Sequence, residues 1–184
     1  MVASRFFDRI NVAEYLELEQ DSEVRHEYVY GEIYAMAGAN VTHTVIASNV
    51  SRHLGNAAEK NDCRVIQSDM KVRAEEEVFY YPDVLVACQE VEEEYYENNP
   101  CVIVEVISKS TVRKDTMEKR LAYLNLESLQ LYLLVDSRKR WIKGYHRVKG
   151  KWEERIYQDG EDIPVPCVKT KLTWKKIYDK TKLA

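Results

Sequence analysis

PDVLVAC (82–88) and CVIVEVI (101–107) are the two stretches whose relation decides the fold. Each is an apolar run carrying one acid: Asp83 at the head of the first, Glu105 near the end of the second, with the polar loop 89–99 between them. Short apolar runs rich in β-branched residues read as strands buried on both faces. Joined by such a loop the two pair antiparallel, and opposed residues then share a constant index sum. If Asp83 faces Glu105, then Val84 faces Val104, Val86 faces Val102 and Cys88 faces Pro100, so the apolar stretches align in full. Alternation puts Leu85, Ala87, Cys101 and Ile103 on the face of the two acids, and Val84, Val86, Val102, Val104 and Val106 on the other.

Two like charges opposed in such surroundings repel and lose hydration, so something must compensate them. Two arrangements do so. Asp83 caps a solvent-facing strand end while Glu105 pairs with a lysine or arginine, or the two acids share a divalent cation, for which hard carboxylate oxygens are suitable ligands.

Working outward, NVAEYLELEQ reads as a short amphipathic helix capped by Asn11, and RHEYVYGEIYAMAG as a hairpin turning at Gly31. Val45, Ile46, Val50 and Leu54 recur at helical intervals over 41–60. CRVIQSDMKVRA and EVFYYPDVLVAC are each expected to be a single strand. STVRKDTMEKRLAYLNLES resumes a helical pattern, with Ser110 or Thr111 as cap and Met117, Leu121 and Leu124 on its apolar face. LQLYLLVD is a further strand, RWIKGYHRVKGKWEERIYQ a hairpin around Lys149-Gly150, and the last helix falls near 174–178. This order implies an α/β domain spanning 1–184, with a central mixed sheet, helices on both faces and a C-terminal β-hairpin extension.

The 184 residues are 45% hydrophobic and 32% charged, which suits one globular domain. No run approaches the roughly 18 apolar residues of a membrane helix. The opening MVASRFFDRI lacks the apolar stretch of a signal peptide, so a soluble cytoplasmic protein is expected. A net charge of −4 argues against coating nucleic acid by bulk electrostatics. Cys63, Cys88, Cys101 and Cys167 are scattered without a CxxC pair and read as buried free thiols. The histidines show no metal-binding spacing, which disfavours a zinc enzyme.

The string PDVLVACQE…CVIVEVISKSTVRKDTMEKRLAYLNLESLQLYLLVD, with Glu27, Gly31, Glu32, Met36 and His43 upstream, resembles the Uma-type restriction endonuclease family within the PD-(D/E)XK nuclease superfamily. The resemblance covers roughly residues 10–147. It implies a restriction-endonuclease-like core and divalent-metal-dependent hydrolysis of phosphodiesters, DNA being the expected substrate and Mg²⁺ or Mn²⁺ the cofactor. Asp83 and Glu105 match the superfamily's metal-binding acids, and Glu32 is a candidate third.

The superfamily lysine usually stands two residues after the second acid. Here that position is Ile107. The family supplies the lysine instead from the following helix, through a pattern matched by Asp115, Lys119 and Tyr123, which lie four residues apart on one helical stripe. Lys119 is therefore expected to orient or deprotonate the attacking water and to offset phosphate charge. His43, Lys109, Asp115 and Tyr123 are candidate substrate contacts, with Lys109 in the loop SKST. A homodimer follows by analogy, since cutting both strands of a duplex needs two sites. The alternative is a catalytically silent module that keeps the fold and binds nucleic acid or a partner protein, and the position of Lys119 discriminates the two.

Overall fold

The computed structural model describes residues 9–36, 38–108 and 114–184, with only the backbone given for 114–116. Helix α1 (Val12–Asp21) starts at Asn11, whose side chain accepts from the Glu14 N–H at 3.0 Å while the Glu14 carboxylate accepts from the Asn11 N–H, a reciprocal capping box. Strands β1 (His26–Val29) and β2 (Glu32–Ala35) form the expected hairpin. Its turn places Gly31 at a φ of 90°, and a Cβ there would lie 2.8 Å from the Arg9 Cβ, so both conformation and space require glycine. Helix α2 (Val41–Ala58) buries Ile46, Ala47, Val50 and Leu54, the face its periodicity predicts.

The stretches 63–74 and 77–88 each break into two strands: β3 (Arg64–Gln67) and β4 (Lys71–Glu75), then β5 (Val78–Tyr80) and β6 (Val84–Ala87). The first break lies at Ser68, which adopts a φ of 61°, and the second at Tyr81-Pro82-Asp83. The strands are thereby divided between two sheets in place of the single central sheet expected. One sheet runs β2, β1, β5, β4, β7 (Tyr96–Glu97), and the other β11, β10, β9, β8, β6, β3. Here β8 is Pro100–Ile107, β9 Leu131–Asp136, β10 Ile142–Val148 and β11 Lys151–Tyr157. The sheets are mixed: β8 runs parallel to β9 and antiparallel to β6. The β10/β11 hairpin is no appendage, because β10 pairs with β9 and continues the six-stranded sheet. A small hairpin, β12 (Ile163–Val165) with β13 (Thr170–Leu172), precedes α4 (Trp174–Tyr178).

Registers of Val84 with Val104, Leu85 with Ile103 and Val86 with Val102 follow the constant index sum. A shift between Val86 and Ala87 then pairs Ala87, rather than Cys88, with Pro100. One consequence is that Cys101 packs with the Val84, Val102 and Val104 cluster under α2 and α4, not with Leu85 and Ile103 as alternation predicts. The second core lies on the opposite face, where Leu85, Ala87, Ile103 and Ile107 meet Val72, Val78 and Tyr80 of the other sheet and Tyr123 of the following helix.

That helix begins with π-helical turns at Lys114–Lys119 and continues as α3 (Arg120–Tyr123). Its inward residues are Lys119, Ala122 and Tyr123, whereas Met117 and Leu121, expected to be apolar-face residues, are exposed. The inward residues keep the helical i, i+3, i+4 spacing, but the face turned inward is the one carrying Lys119 and Tyr123 and not the one carrying Met117 and Leu121.

The cysteines are not free thiols. Cys63 bonds to Cys88 and Cys101 to Cys167. Strand ends bring these distant residues together, which local spacing does not report. Among the described residues no helix is long and apolar enough to cross a membrane.

Candidate active site

Asp83 lies where the chain crosses from the five-stranded to the six-stranded sheet. Pro82, which has no N–H to contribute to a ladder, stands at this strand edge. The crossing is pinned to the other sheet-changing turn, since the Ser68 N–H donates to the Asp83 carbonyl at 3.1 Å. The Asp83 carboxylate accepts from the Val106 N–H at 2.6 Å, and His43 Nε2 lies 3.2 Å from the same oxygen, Oδ2. Continuing the β6/β8 register thus brings Asp83 to the Glu105-Val106 step. His43 reaches it from the first turn of α2, where Asn40 caps the His43 N–H.

Glu105 is 3% exposed in the middle of an eight-residue buried strand. A carboxylate there requires a partner, because burial of an unpaired charge costs several kcal/mol. Lys119 provides it: its Nζ donates to Glu105 Oε1 at 3.0 Å and lies 2.9 Å from Glu27 Oε1. The ammonium also sits 5.6 Å from the centre of the Tyr80 ring. Tyr123 donates to Glu105 Oε1 at 3.4 Å while its ring packs edge-on against Tyr80. Burial, followed by the charge of Glu27, pushes the Tyr80 phenol upward, so it stays neutral at ordinary pH.

Glu105 therefore pairs with a lysine, and the lysine is the helical one that stands in for Ile107. Ile107 itself is 1% exposed and belongs to the apolar core between the sheets. Glu27 is the acid that spacing alone missed. It lay within the E…GE…M…H segment, but the signal that singles it out is burial of a carboxylate in the middle of β1, which only the packing reveals. Glu32 is exposed on the edge strand β2, where it accepts a hydrogen bond from the Tyr34 hydroxyl. Lys109 lies outside the described residues, as does the side chain of Asp115.

Glu27 and Glu105 meet at Lys119 while Asp83 reaches the neighbouring Val106 N–H, and the donors of all three are hard oxygens of the kind magnesium and manganese bind. The Val106 N–H and His43 Nε2 both contact Oδ2 of Asp83. The donor set fits such an ion.

The family model described as "Putative restriction endonuclease", of the Uma2 family, matches residues 12–175. The chain belongs to this family. The uncharacterized protein slr1290 of Synechocystis is 32% identical over 176 residues, covering 94% of this chain and 93% of the relative. A second uncharacterized Synechocystis protein, sll1609, is 33% identical over 144 residues, covering 76% and 81%. A crystal structure from Anabaena variabilis, described as "a putative nuclease belonging to DUF820", superposes with a TM-score of 0.77 at 18% identity, over 92% of this chain and 97% of that one. At that identity the likeness establishes the fold. In this Uma2-family chain, then, a nuclease-like fold holds a lysine against the buried acid of β8, and that lysine comes from a helix.

Proposed function

We propose that this chain is a divalent-metal-dependent endonuclease that hydrolyses DNA phosphodiesters, with Asp83 and Glu105 as carboxylate ligands and Lys119 as the positioned cationic donor. The observation that carries this reading is the 3.0 Å contact between Lys119 Nζ and Glu105 Oε1, which supplies from a helix the charge that Ile107 cannot. Magnesium or manganese, when bound, supplies Lewis-acid stabilisation of phosphate charge and a more acidic water.

The protein's own residues do the rest. Val106 N–H and His43 fix the orientation of the Asp83 carboxylate. Lys119, held between Glu27 and Glu105, directs N–H donors at the attacking water and at the phosphoryl oxygens as their charge builds. Hydrolysis forms one P–O bond from water and breaks one P–O ester bond, the proton lost by the water being balanced by one taken up at the leaving oxygen. Two copies related by a twofold axis would present two such sites to a duplex.

One observation favours the silent-module reading. Lys119 already neutralises two buried carboxylates, a structural task that needs no cation. Cleavage of mixed DNA substrates with magnesium or manganese discriminates the readings, using wild type, Asp83→Ala, Glu105→Ala and Lys119→Ala with folding checked by circular dichroism. The nuclease reading expects each folded variant to lose on the order of 10²–10³ in rate, the scale of removing one preorganised electrostatic group. Equal rates in all four proteins would indicate a contaminant and overturn it.

A further inference from the structure

Cys63, Cys88, Cys101 and Cys167 come from four separate elements and converge at the end of the β6/β8 pair opposite Asp83 and Glu105. Cys63 immediately precedes β3, Cys88 follows β6, Cys101 lies at the start of β8, and Cys167 sits in a short 3₁₀ turn after β12. The sulfurs of Cys88, Cys101 and Cys167 all lie within 4.8 Å of one another, those of Cys88 and Cys101 only 3.6 Å apart across the two disulfides. Cys63 is one bond from Cys88.

Backbone pairing and a side-chain bond also gather these positions. The β3/β6 ladder fixes Arg64 against Ala87, beside Cys63 and Cys88, and the β6/β8 ladder fixes Ala87 against Pro100, beside Cys88 and Cys101. Asn61 Nδ2 ties the turn before Cys63 to the turn bearing Cys167, donating to the Ala57 carbonyl at 2.8 Å and to the Val168 carbonyl at 3.0 Å. Breaking both disulfides therefore leaves four thiols gathered in one place.

We infer that the reduced chain binds one zinc ion through the thiolates of Cys63, Cys88, Cys101 and Cys167, and that the two disulfides are the oxidised, metal-free form of the same site. Zinc takes four thiolates tetrahedrally at about 2.3 Å, which puts its sulfurs about 3.8 Å apart. The gap between Cys88 and Cys101 already matches and Cys167 lies within 4.8 Å of both, while Cys63, one bond from Cys88, joins the set once that bond opens and the thiol side chains rotate. Soft thiolates select zinc over the hard cations suited to the carboxylate end.

A zinc ion with four thiolates carries a net charge of −2, and the cation next to Cys63 is Arg64, which donates to the Gln89 carbonyl at 2.7 Å and pairs with Glu97 at 3.3 Å. Cys101 is buried while Cys63, Cys88 and Cys167 are partly exposed, so reductant and metal have access.

The exchange balances as follows. Two dithiol molecules deliver four electrons and four protons to the two disulfides, each dithiol closing to its own disulfide. Binding zinc as four thiolates then releases those protons to solvent. The inference stands apart from the nuclease reading, since neither the residues nor the metal class is shared.

The test uses the full chain, reduced anaerobically with a trialkylphosphine, which takes one water oxygen per disulfide cleaved and is then removed. Cobalt(II) serves as the optical probe and zinc as the competitor. The expected result is one cobalt per chain, with a sulfur-to-cobalt charge-transfer band and tetrahedral ligand-field bands, bleached by an equimolar amount of zinc. Carboxylate-bound cobalt gives no sulfur band, so the acid end does not contribute. Cys63→Ser and Cys167→Ser are each expected to lose about a quarter of the band and to weaken binding by more than the roughly 10–100-fold that loss of an outer-shell partner costs.

Absence of the sulfur band in reduced wild type overturns the inference, as does a band of full intensity in both variants. Should the reduced metal-free chain unfold, recovery of its circular dichroism on adding zinc supports the site. Failure to recover overturns it.

Discussion

At one end of the β6/β8 pair, Asp83 and Glu105 are held by groups reached through a continued strand register and a neighbouring helix. At the other end, Cys88 and Cys101 meet Cys63 and Cys167 across a register shift, from elements far apart in sequence. The same two strands thus carry hard oxygen donors at one end and soft sulfur donors at the other, separated by three or four buried apolar residues on each strand. An apolar sheet centre lets each end be chemically specific. The carboxylates are stabilised by charge and hydrogen bonds, the sulfurs by covalent pairing.

The largest effect separating the two ends is expected at Lys119. Its side chain is only 6% exposed and lies between two carboxylates exposed by 6% and 4%, so Lys119→Ala removes the ammonium that pairs with both of them. Breaking a buried ion pair by removing one partner typically costs about 3–5 kcal/mol. Urea unfolding of Lys119→Ala should show a loss of that size, and the triple variant Glu27→Gln, Glu105→Gln, Lys119→Met should recover much of it, because the carboxylate charges are removed together with the ammonium. A triple variant as unstable as the single one would mean that packing, not charge, dominates the acid end.

A smaller effect is expected at the sulfur end. Cys167→Ser removes the Cys101–Cys167 disulfide, which joins residues 66 apart in sequence. Releasing a loop of that length from the denatured ensemble costs about 2–4 kcal/mol. Under oxidising, zinc-free conditions the midpoint of urea unfolding should fall accordingly, while cleavage rates measured with magnesium well below the transition stay at the wild-type level. A parallel drop in cleavage would show that the two ends of β8 are mechanically coupled.

The two ends also differ in how far their structure could be read from sequence. The Asp83/Glu105 relation was legible because strand pairing converts position directly into contact, and Val84 to Val86 follow the predicted register. Lys119 was reached through the family pattern, after Ile107 failed to supply a charge. Three features were not legible, each for a physical reason. Both long strands split because the chain changes sheets at Ser68 and at Pro82-Asp83, a decision made by packing between layers. The following helix turns inward the face of Lys119, Ala122 and Tyr123, where Lys119 pairs with buried carboxylates, and so exposes Met117 and Leu121. The cysteines carry no local spacing signal, because their proximity depends on four elements and one register shift. Glu27 belongs to the same class, since only tertiary packing brings β1 to the helix bearing Lys119.

The smallest predicted effect tests how finely the acid end is built. Tyr123 is fully buried, and its hydroxyl donates to Glu105 Oε1 at 3.4 Å, the oxygen that Lys119 already holds at 3.0 Å. A bond that long, to a carboxylate with a stronger donor, is expected near the lower end of the roughly 0.5–1.5 kcal/mol that a hydrogen bond contributes. Tyr123→Phe keeps the ring and its packing against Tyr80 and Tyr132 while removing only the hydroxyl. Unfolding should therefore shift little. If the hydroxyl's role is to fix the direction of Glu105, kcat should fall while KM stays near the wild-type value, because the buried hydroxyl acts through the carboxylate and not on DNA. A raised KM with unchanged kcat would instead place Tyr123 in contact with substrate, and the acid end would then have to open to admit it.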